Sequence, residues 1–600
     1  MRRFLLLLLA VVFPAAGCVK RVPASAGPDI SVRAGRQVEL GRKMELPEGV
    51  RISWSFGDGA EIEGSLVAHA WDVAGNYKLR VSVSDPDGKT RSDEARVKVS
   101  RPKLLDLLGG SVDQFLLLDR PSERLRELPL LLEKFFVSGQ AANATLARIN
   151  EMLGFDPFDV QSLTGAGVDP AGHLGVLHIA GEGATGEVVV FPVLDREKAL
   201  GTISQFFSPG AASEQPDKLD PSIVEELGAD KKPVGAYTFY GGHAWLCKAG
   251  APGLDPAALL AAVRAWDNGN KLIDKPDFKR AAAGQGERGP IELFVSGSFF
   301  QGAQKGGPAG SLDYLTGSAR PDEAGLRFSG RLGLTDAATG SLLPALRSRT
   351  AVPPLGSFLP AGRHLFVKIS ANPSGLLYAL ADLSGQGAWA RFQQTLGGVE
   401  SAKRLLACLG DNLIVGVRLV PAGLLRLGNP QKSKPQEAVE LIAVFELAKG
   451  EILARTLDEL VASGRLGEVI KKGQEPGRKS WQLVIGKFVF TLAIEGSYAI
   501  LAMPGSLVAQ VTALIRNPGV APAWWPTDER AGERQVFFAD VNGFIEDFKR
   551  AEPPRDAPTA AFIKAMIMRS LSQVESLGTI MLKVAPQKQD LGFELEFDIK

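Results

Sequence analysis

The chain has 600 residues, and its 68 Lys and Arg against 67 Asp and Glu leave a formal net charge of +1, which gives no basic face for a nucleic-acid partner. Apolar residues at 45% and charged residues at 22% are globular proportions that exclude a disordered chain. The length exceeds what one core organises and implies three or four domains.

The chain opens with Arg2-Arg3, an apolar run from Phe4 to Ala16, and then Gly17-Cys18. A basic start, a short apolar stretch and small residues at its end predict a signal peptide over 1–17. A spanning helix needs roughly 20 apolar residues, so this run is too short to stay in a bilayer as an anchor. The ending Ala15-Ala16-Gly17-Cys18 resembles the lipobox of bacterial lipoproteins, although that pattern usually has Leu where Ala15 stands. The resemblance implies cleavage before Cys18, a diacylglyceryl group on its sulfur and an acyl chain such as palmitate on its amine. Val19 rather than Asp after the cysteine implies the outer membrane as the destination. The competing reading is an ordinary signal peptide with a cysteine after its end. Residues 18–27, with Pro23, Ser25 and Gly27, are expected to form a tether.

Residues 28–100 predict a small β-sandwich, because period-two alternation recurs between turn signals. Ile52, Trp54 and Phe56 alternate with Arg51, Ser53 and Ser55; Tyr77, Leu79, Val81 and Val83 alternate with Lys78, Arg80, Ser82 and Ser84. These two strands are expected to face each other across the core. Trp54-Ser-Phe56-Gly57-Asp58-Gly59, then His69-Ala-Trp71, Gly75-Asn-Tyr77 and Val81-Ser-Val-Ser-Asp85 resemble the polycystic kidney disease (PKD) repeat in four blocks and in order. The resemblance implies an immunoglobulin-like sandwich used outside the cell for spacing, protein contact or polysaccharide contact. It implies Trp54 in the core and Tyr77 making a corner hydrogen bond. His69 as a metal ligand competes with His69 as a strand position of the pattern, which is favoured because no second histidine is near. Asp58, Asp85 and Asp87 suggest calcium in some relatives, but Asp beside Gly or Pro is more often a turn former.

Arg101-Pro102 mark a boundary, after which helical patterns alternate with pairs of strands. Leu104–Leu108, Arg120–Phe136 and Asn143–Leu153 predict helices. From there a repeated order appears. The first half runs hairpin (173–194), helix (196–207), strand pair (233–249), helix (257–266), strand (291–298) and closing strand (325–334). The second runs hairpin (412–420 and 438–447), helix (450–463), strand pair (481–503), helix (506–516), strand (534–541) and closing strands (578–584 and 591–599). A period near 250 residues implies a duplicated domain rather than a solenoid. The fold class expected is therefore multidomain, an immunoglobulin-like sandwich followed by a duplicated α+β body with antiparallel sheets, the copies spanning 101–345 and 346–600. Gly- or Pro-rich 301–311 and 421–436 are expected to be surface loops. Leu153-Gly-Phe-Asp-Pro-Phe-Asp159, leading to Gly167-Val-Asp-Pro-Ala-Gly172, resembles a family of secreted bacterial domains of unknown function, which implies no activity.

The chain lacks the patterns that carry known chemistry. It has no G-x-S-x-G string for a nucleophile elbow, and Val83 stands where a P-loop ending at Gly88-Lys89-Thr90 requires Gly. Gly181-Glu-Gly-Ala-Thr-Gly186 has the spacing of a dinucleotide loop, but Glu-Val-Val-Val-Phe follows it, so it predicts a hairpin. The five histidines include no pair at helical ligand spacing, and His173 and His178 fall on opposite faces of one strand. Export makes a Cys247–Cys408 disulfide chemically possible, but both sit in core-like sequence, which favours free thiols acting as small hydrophobes. Trp524-Trp525 admits a sugar platform, with a packed loop favoured. The expectation is a non-enzymatic lipoprotein of the cell envelope with no cofactor or metal. Its partners are the membrane through Cys18 and envelope proteins or polysaccharide. A lipid carrier or envelope-assembly factor is the alternative, and an unrecognised hydrolase a third.

Overall fold

A computed structural model describes residues 22–135, 144–207, 223–227, 233–249, 254–283, 289–303, 311–347, 355–376, 399–426, 435–464, 469–473, 478–522, 525 and 534–599, less a few positions inside those ranges. Cys18 and the leader lie outside them.

The N-terminal module has strands β1 (Ile30–Arg33), β2 (Val38–Gly41), β3 (Arg51–Ser55), β4 (Glu61–Glu63), β5 (Leu66–His69), β6 (Gly75–Ser84) and β7 (Thr90–Ser100). One sheet runs β1-β7-β6-β3-β4, with β1 parallel to β7, and β2-β5 form the other. The two alternating segments do not face each other across the core as expected. β3 and β6 are hydrogen-bonded neighbours, Trp54 opposite Val81 and Ile52 opposite Val83, so pairing in register puts both apolar sets on one face. That face closes on Leu40 and Val67 of the small sheet. The expected tether is also shorter than read. Val22, Ala24 and Ala26 pack against this core, and Asp93 accepts from the Ala26 N–H at 2.8 Å. Small apolar residues, which suggested a linker, here fill the edge of a sandwich.

The body contains β8 (Val112–Asp119), β9 (His173–Gly181), β10 (Ala184–Pro192), β11 (Ile223–Leu227), β12 (Pro233–Tyr240), β13 (His243–Lys248), β14 (Ile291–Ser296), β15 (Leu312–Asp322) and β16 (Gly325–Leu334). Then follow β17 (Leu365–Ser370), β18 (Leu409–Leu419), β19 (Val439–Leu447), β20 (Ile470–Lys472), β21 (Ser480–Ile485), β22 (Phe488–Glu495), β23 (Tyr498–Met503), β24 (Gln535–Asp540), β25 (Leu577–Pro586) and β26 (Asp590–Ile599). All pairings among them are antiparallel. By register, one run is β11-β12-β13-β10-β9-β8-β14-β15-β16. The other is β20-β21-β22-β23-β19-β18-β17-β24-β25-β26. β16 and β26 join the two, from Gly325 opposite Asp598 to Gly333 opposite Asp590. Strand β20, paired on one side, is three residues long and carries exposed Lys471 and Lys472, which blunt it against further pairing.

Helices cover both faces of each run, so its inner strands are apolar on both sides. On β13, Trp245 and Cys247 enter a core with helix Pro256–Arg264, while Ala244 and Leu246 enter another with helix Arg196–Phe207. In the second run, Ile500 and Ala502 of β23 meet helix Leu507–Arg516, and Ala499 meets helix Gly450–Ala462. Helix Pro256–Arg264 is set by Asp255, whose carboxylate accepts from the N–H groups of Ala257 and Ala258, and by Pro256 in the first turn. Its Leu259, Leu260 and Val263 then share the buried face. Cys247 and Cys408 are free buried thiols in separate cores. Among the described residues no helix is long and apolar enough to cross a membrane.

Several sequence readings are revised. The helix expected over 120–136 is two, Pro121–Arg124 and Leu128–Phe135, because Arg120 takes a left-handed backbone and Pro129 is tolerated only in a first turn. The helix expected over 143–153 lies partly outside the described residues. Strands β8, β11, β15, β17 and β20 were not foreseen, and the strand pair expected over 481–503 is three strands, β21, β22 and β23. The 421–436 segment, read as loop, begins with helix Pro421–Arg426, whose Leu425 is fully buried. Trp525 is 7% exposed in the second core, and Trp524 lies outside the described residues.

Trp54 is 3% exposed and donates from its indole to the Gly64 carbonyl at 3.0 Å. Trp54→Ala is expected to cost about 3–5 kcal/mol in denaturant unfolding of the module. A loss below about 1 kcal/mol would place the ring outside the core.

Candidate functional site

The residues of the Trp-Ser-Phe-Gly-Asp-Gly block and its partners converge at one end of the sandwich. Gly57 has φ +78°, and a Cβ there would stand 2.9 Å from the Lys78 backbone, so only glycine fits. This turn carries Asp58 inward, where its carboxylate accepts from the Ala60 N–H at 3.1 Å and from His69 Nε2 at 2.8 Å. Burial pushes the Asp58 carboxyl up, but the bonds from His69 and Ala60 outweigh it and hold it below its ordinary value. The His69 ring stacks on Phe56 with centroids 3.9 Å apart and meets the Trp71 edge at 4.8 Å. Trp71, fully buried, donates to the Phe56 carbonyl at 3.0 Å, and the Tyr77 hydroxyl donates to the Val73 carbonyl at 2.8 Å. Gly75 lies against the Tyr77 ring, and Gly59 opens the turn with φ +94°. The other acidic residues of the module go elsewhere: Asp85 meets Arg91 at 2.7 Å and Asp87 meets Lys89 at 3.3 Å. Among the described residues no group of acidic, His and Cys side chains gathers as a metal site.

Behind this cluster the module meets the body. The β12–β13 hairpin turns on Gly241 and Gly242, with φ +61° and +78°, the geometry of a two-residue primed turn. A Cβ on Gly241 would stand 2.5 Å from Leu107, and Gly35 of the module lies directly against the Gly241 backbone. Bare backbone lets the two parts touch. The Gly242 N–H donates to the Asp72 carbonyl at 2.7 Å. Arg101, the boundary residue, then clamps the turn, donating to the Gly242 carbonyl at 3.2 Å, Asp169 Oδ2 at 2.6 Å and the Val193 carbonyl at 2.8 Å. Asp72 faces Arg264 and Arg196 of the body. Burial raises its carboxyl above the ordinary value against the pull of both. Arg264 is held by Thr238 Oγ1 and the Phe239 carbonyl, and Arg196 lies over the Phe239 ring at 5.0 Å. His243 at the foot of the turn is wholly buried and donates from Nδ1 to the Gly241 carbonyl at 2.9 Å. Burial, with Arg101 beside it, pushes its imidazole down to about 3. Sequence reasoning missed this contact. Gly241-Gly242 between apolar runs signals a hairpin, yet nothing local says what packs on it.

A second polar network lies in the other half. Lys368 donates to Ser370 Oγ at 2.8 Å and to the Arg534 carbonyl at 2.6 Å. Ser370 donates on to Asn412 Oδ1 at 2.9 Å, and Asn412 to Glu446 Oε2 at 2.7 Å. A lysine beside a serine is the composition of one nucleophile and base pair. Here the Ser370 hydroxyl is committed to Asn412, and both side chains are buried at 1% and 0% exposure. This is a core ladder that satisfies polar groups between strands. The seam between module and body joins the two parts through both backbone and side-chain bonds.

Residues 20–99 match the PKD domain family, so this segment is a PKD domain. Among solved structures, crystal form I of TP0453 is similar at 10% identity over 42% of this chain and 80% of that chain, with a TM-score of 0.22. Crystal form III of the same protein gives 8%, 39%, 80% and 0.21. Superpositions this loose say nothing about the body. No curated protein matches the sequence.

Unfolding exposes His243, which then takes a proton near its ordinary 6.5 rather than near 3. Between those values the unfolded chain binds more protons, so this contribution to stability is complete above about pH 6.5 and is lost as pH falls toward 3. The denaturant midpoint is expected to drop on acidification from about pH 6.5 to pH 4, and His243→Gln is expected to flatten the slope. An equal slope in the variant would assign it elsewhere.

Proposed function

We propose that the chain is a non-enzymatic lipoprotein of the cell envelope, held at the outer membrane by lipid on Cys18. In this reading the PKD domain is a fixed stand, and the body is a duplicated α+β platform that contacts envelope proteins or polysaccharide. The observation that carries it is the seam. The signature side chains Phe56, Asp58, His69, Trp71 and Tyr77 are committed to one another, while Asp72, Gly242 and Arg101 tie the module to the body. A flexible glycan-capturing arm would keep such residues free. Here they make a rigid spacer between an N-terminal anchor and the platform.

Duplication is supported by the pairing order. In each half three consecutive strands lie side by side (β8-β9-β10 and β17-β18-β19), and the next group attaches beyond the third through β13 or β23. The chain then crosses back, so that β14 or β24 pairs with the first strand and two closing strands follow. Helices 196–207 and 450–462 follow the third strand, and 256–264 and 507–516 follow β13 and β23. In each half the two helices pack on opposite faces of the sheet. The lipobox resemblance supports the anchor, and the resemblance of 153–172 to secreted bacterial domains agrees with export.

Open polar grooves support contact as the role. One of about 780 Å³ on the PKD domain is lined by Arg33, Arg36, Gln37, Glu39 and Lys98. Another of about 540 Å³ beside the β16–β26 ladder is lined by Arg320, Arg327, Phe328, Glu594 and Glu596.

Mass spectrometry of the protein from membranes is expected to find Cys18 at the N-terminus carrying a diacylglyceryl and an acyl group, with fatty-acid labelling abolished by Cys18→Ala. An unmodified Cys18, or cleavage at another bond, would overturn the anchor. Cross-linking of intact envelopes is expected to capture protein or polysaccharide on the body in the parent and to lose it when Arg101→Ala loosens the stand. Capture unaffected by that substitution would remove the stand from the account.

A further inference from the structure

The connection between β14 and β15 spans 297–311, whereas its counterpart between β24 and β25 spans 541–576 and contains a further helix, Ala560–Leu571. One face of this helix is accounted for. Ile563, Ile567, Met568 and Leu571 pack over Leu425, Phe544 and Phe548. The opposite face is apolar as well, with Phe562 at 74% and Met566 at 56% exposure, one helical turn apart and flanked by exposed Ala561 and Ala565. A helix apolar on both faces belongs inside a core, and this one has a core on one side only. Large exposed apolar groups so arranged mark a contact surface.

The charges say what covers it. The helix carries Lys564 and Arg569 and no acid. Lys564 is fastened by its amine to the carbonyls of Lys549 and Ala551, while Arg569 is exposed in the last turn; on the preceding segment Arg555 and Glu552 are exposed, and Arg550 is paired with Glu546 at 3.8 Å. Twelve residues make a helix of about 18 Å, too short to cross a bilayer and suited to lying in its interface. We infer that helix Ala560–Leu571 rests on an anionic lipid surface, with Phe562 and Met566 entering the acyl boundary and Arg569 at the headgroups. The inference rests on the envelope location proposed above and adds a second, protein-borne membrane contact to the lipid on Cys18.

The test uses the chain from Val19 onward, which has neither leader nor lipid, so its outcome is separate from that of the Cys18 experiment. Flotation is measured with vesicles of phosphatidylcholine alone and with one-third phosphatidylglycerol. Binding is expected to the anionic vesicles, to weaken with salt, and to fall more than about tenfold in Phe562→Asp/Met566→Asp. Arg569→Glu, which leaves the apolar pair in place, is expected to weaken it less. Near-UV circular dichroism checks that the variants are folded. No binding by the parent chain, or equal binding by the folded double variant, would overturn the inference. So would concentration-dependent self-association abolished by the double variant, which would assign the face to a second copy.

Discussion

The antiparallel ladder between β16 and β26 is the constraint on which the rest of the body depends. Each strand closes its own run, and their pairing turns two sheets into one continuous hydrogen-bonded system. It also removes two edges that would otherwise present unpaired backbone. Gly330 shows how tightly the ladder is packed, since a Cβ there would stand 2.3 Å from the Thr316 carbonyl and 2.5 Å from the Phe593 ring. Phe328 and Phe597 meet edge to face across the ladder, and Arg331 reaches Asp590 at 3.6 Å.

The N-terminal domain is joined to the body through a different kind of contact. At its tightest point the PKD domain meets the body through backbone, with Gly35 against Gly241 and the Gly242 N–H on the Asp72 carbonyl, and Val73 packs beside it on the body core. Hydrogen bonds between bare backbones need close approach, and Arg101 holds that approach from the side with three bonds. The burial of His243 and Asp72 at this place follows from the same closeness. Both pay for it in protonation, the imidazole pushed down and the carboxyl up.

Helix Ala560–Leu571 has, among the described residues, no counterpart in the connection between β14 and β15, and its outer face is apolar where a surface helix is normally polar. The Lys368 network, by contrast, lies between strands and satisfies their polar groups.

The PKD domain was legible from the chain because its blocks recur in a fixed order and their signals are largely local: the turn at Gly57-Asp58-Gly59, the alternation around Trp54 and Tyr77, and the Tyr77 bond to the Val73 carbonyl. The order of helices and hairpins in the body was legible for the same reason, since alternation and capping, as at Asp255 and Pro256, act within one turn of chain. Strands β8, β15 and β17 were not legible, because Val112–Asp119 lies between helical patterns and becomes a strand only through β9 and β14 on either side. Sequence alternation also could not say whether β3 and β6 stack or pair, as either arrangement buries the same residues. Only the tertiary structure decided that, and with it the contact of Gly241 with Gly35, the joining of β16 to β26 and the bare outer face of Phe562. Each depends on which distant surface comes to lie beside it, a choice made by the packing of whole sheets rather than by any stretch of residues.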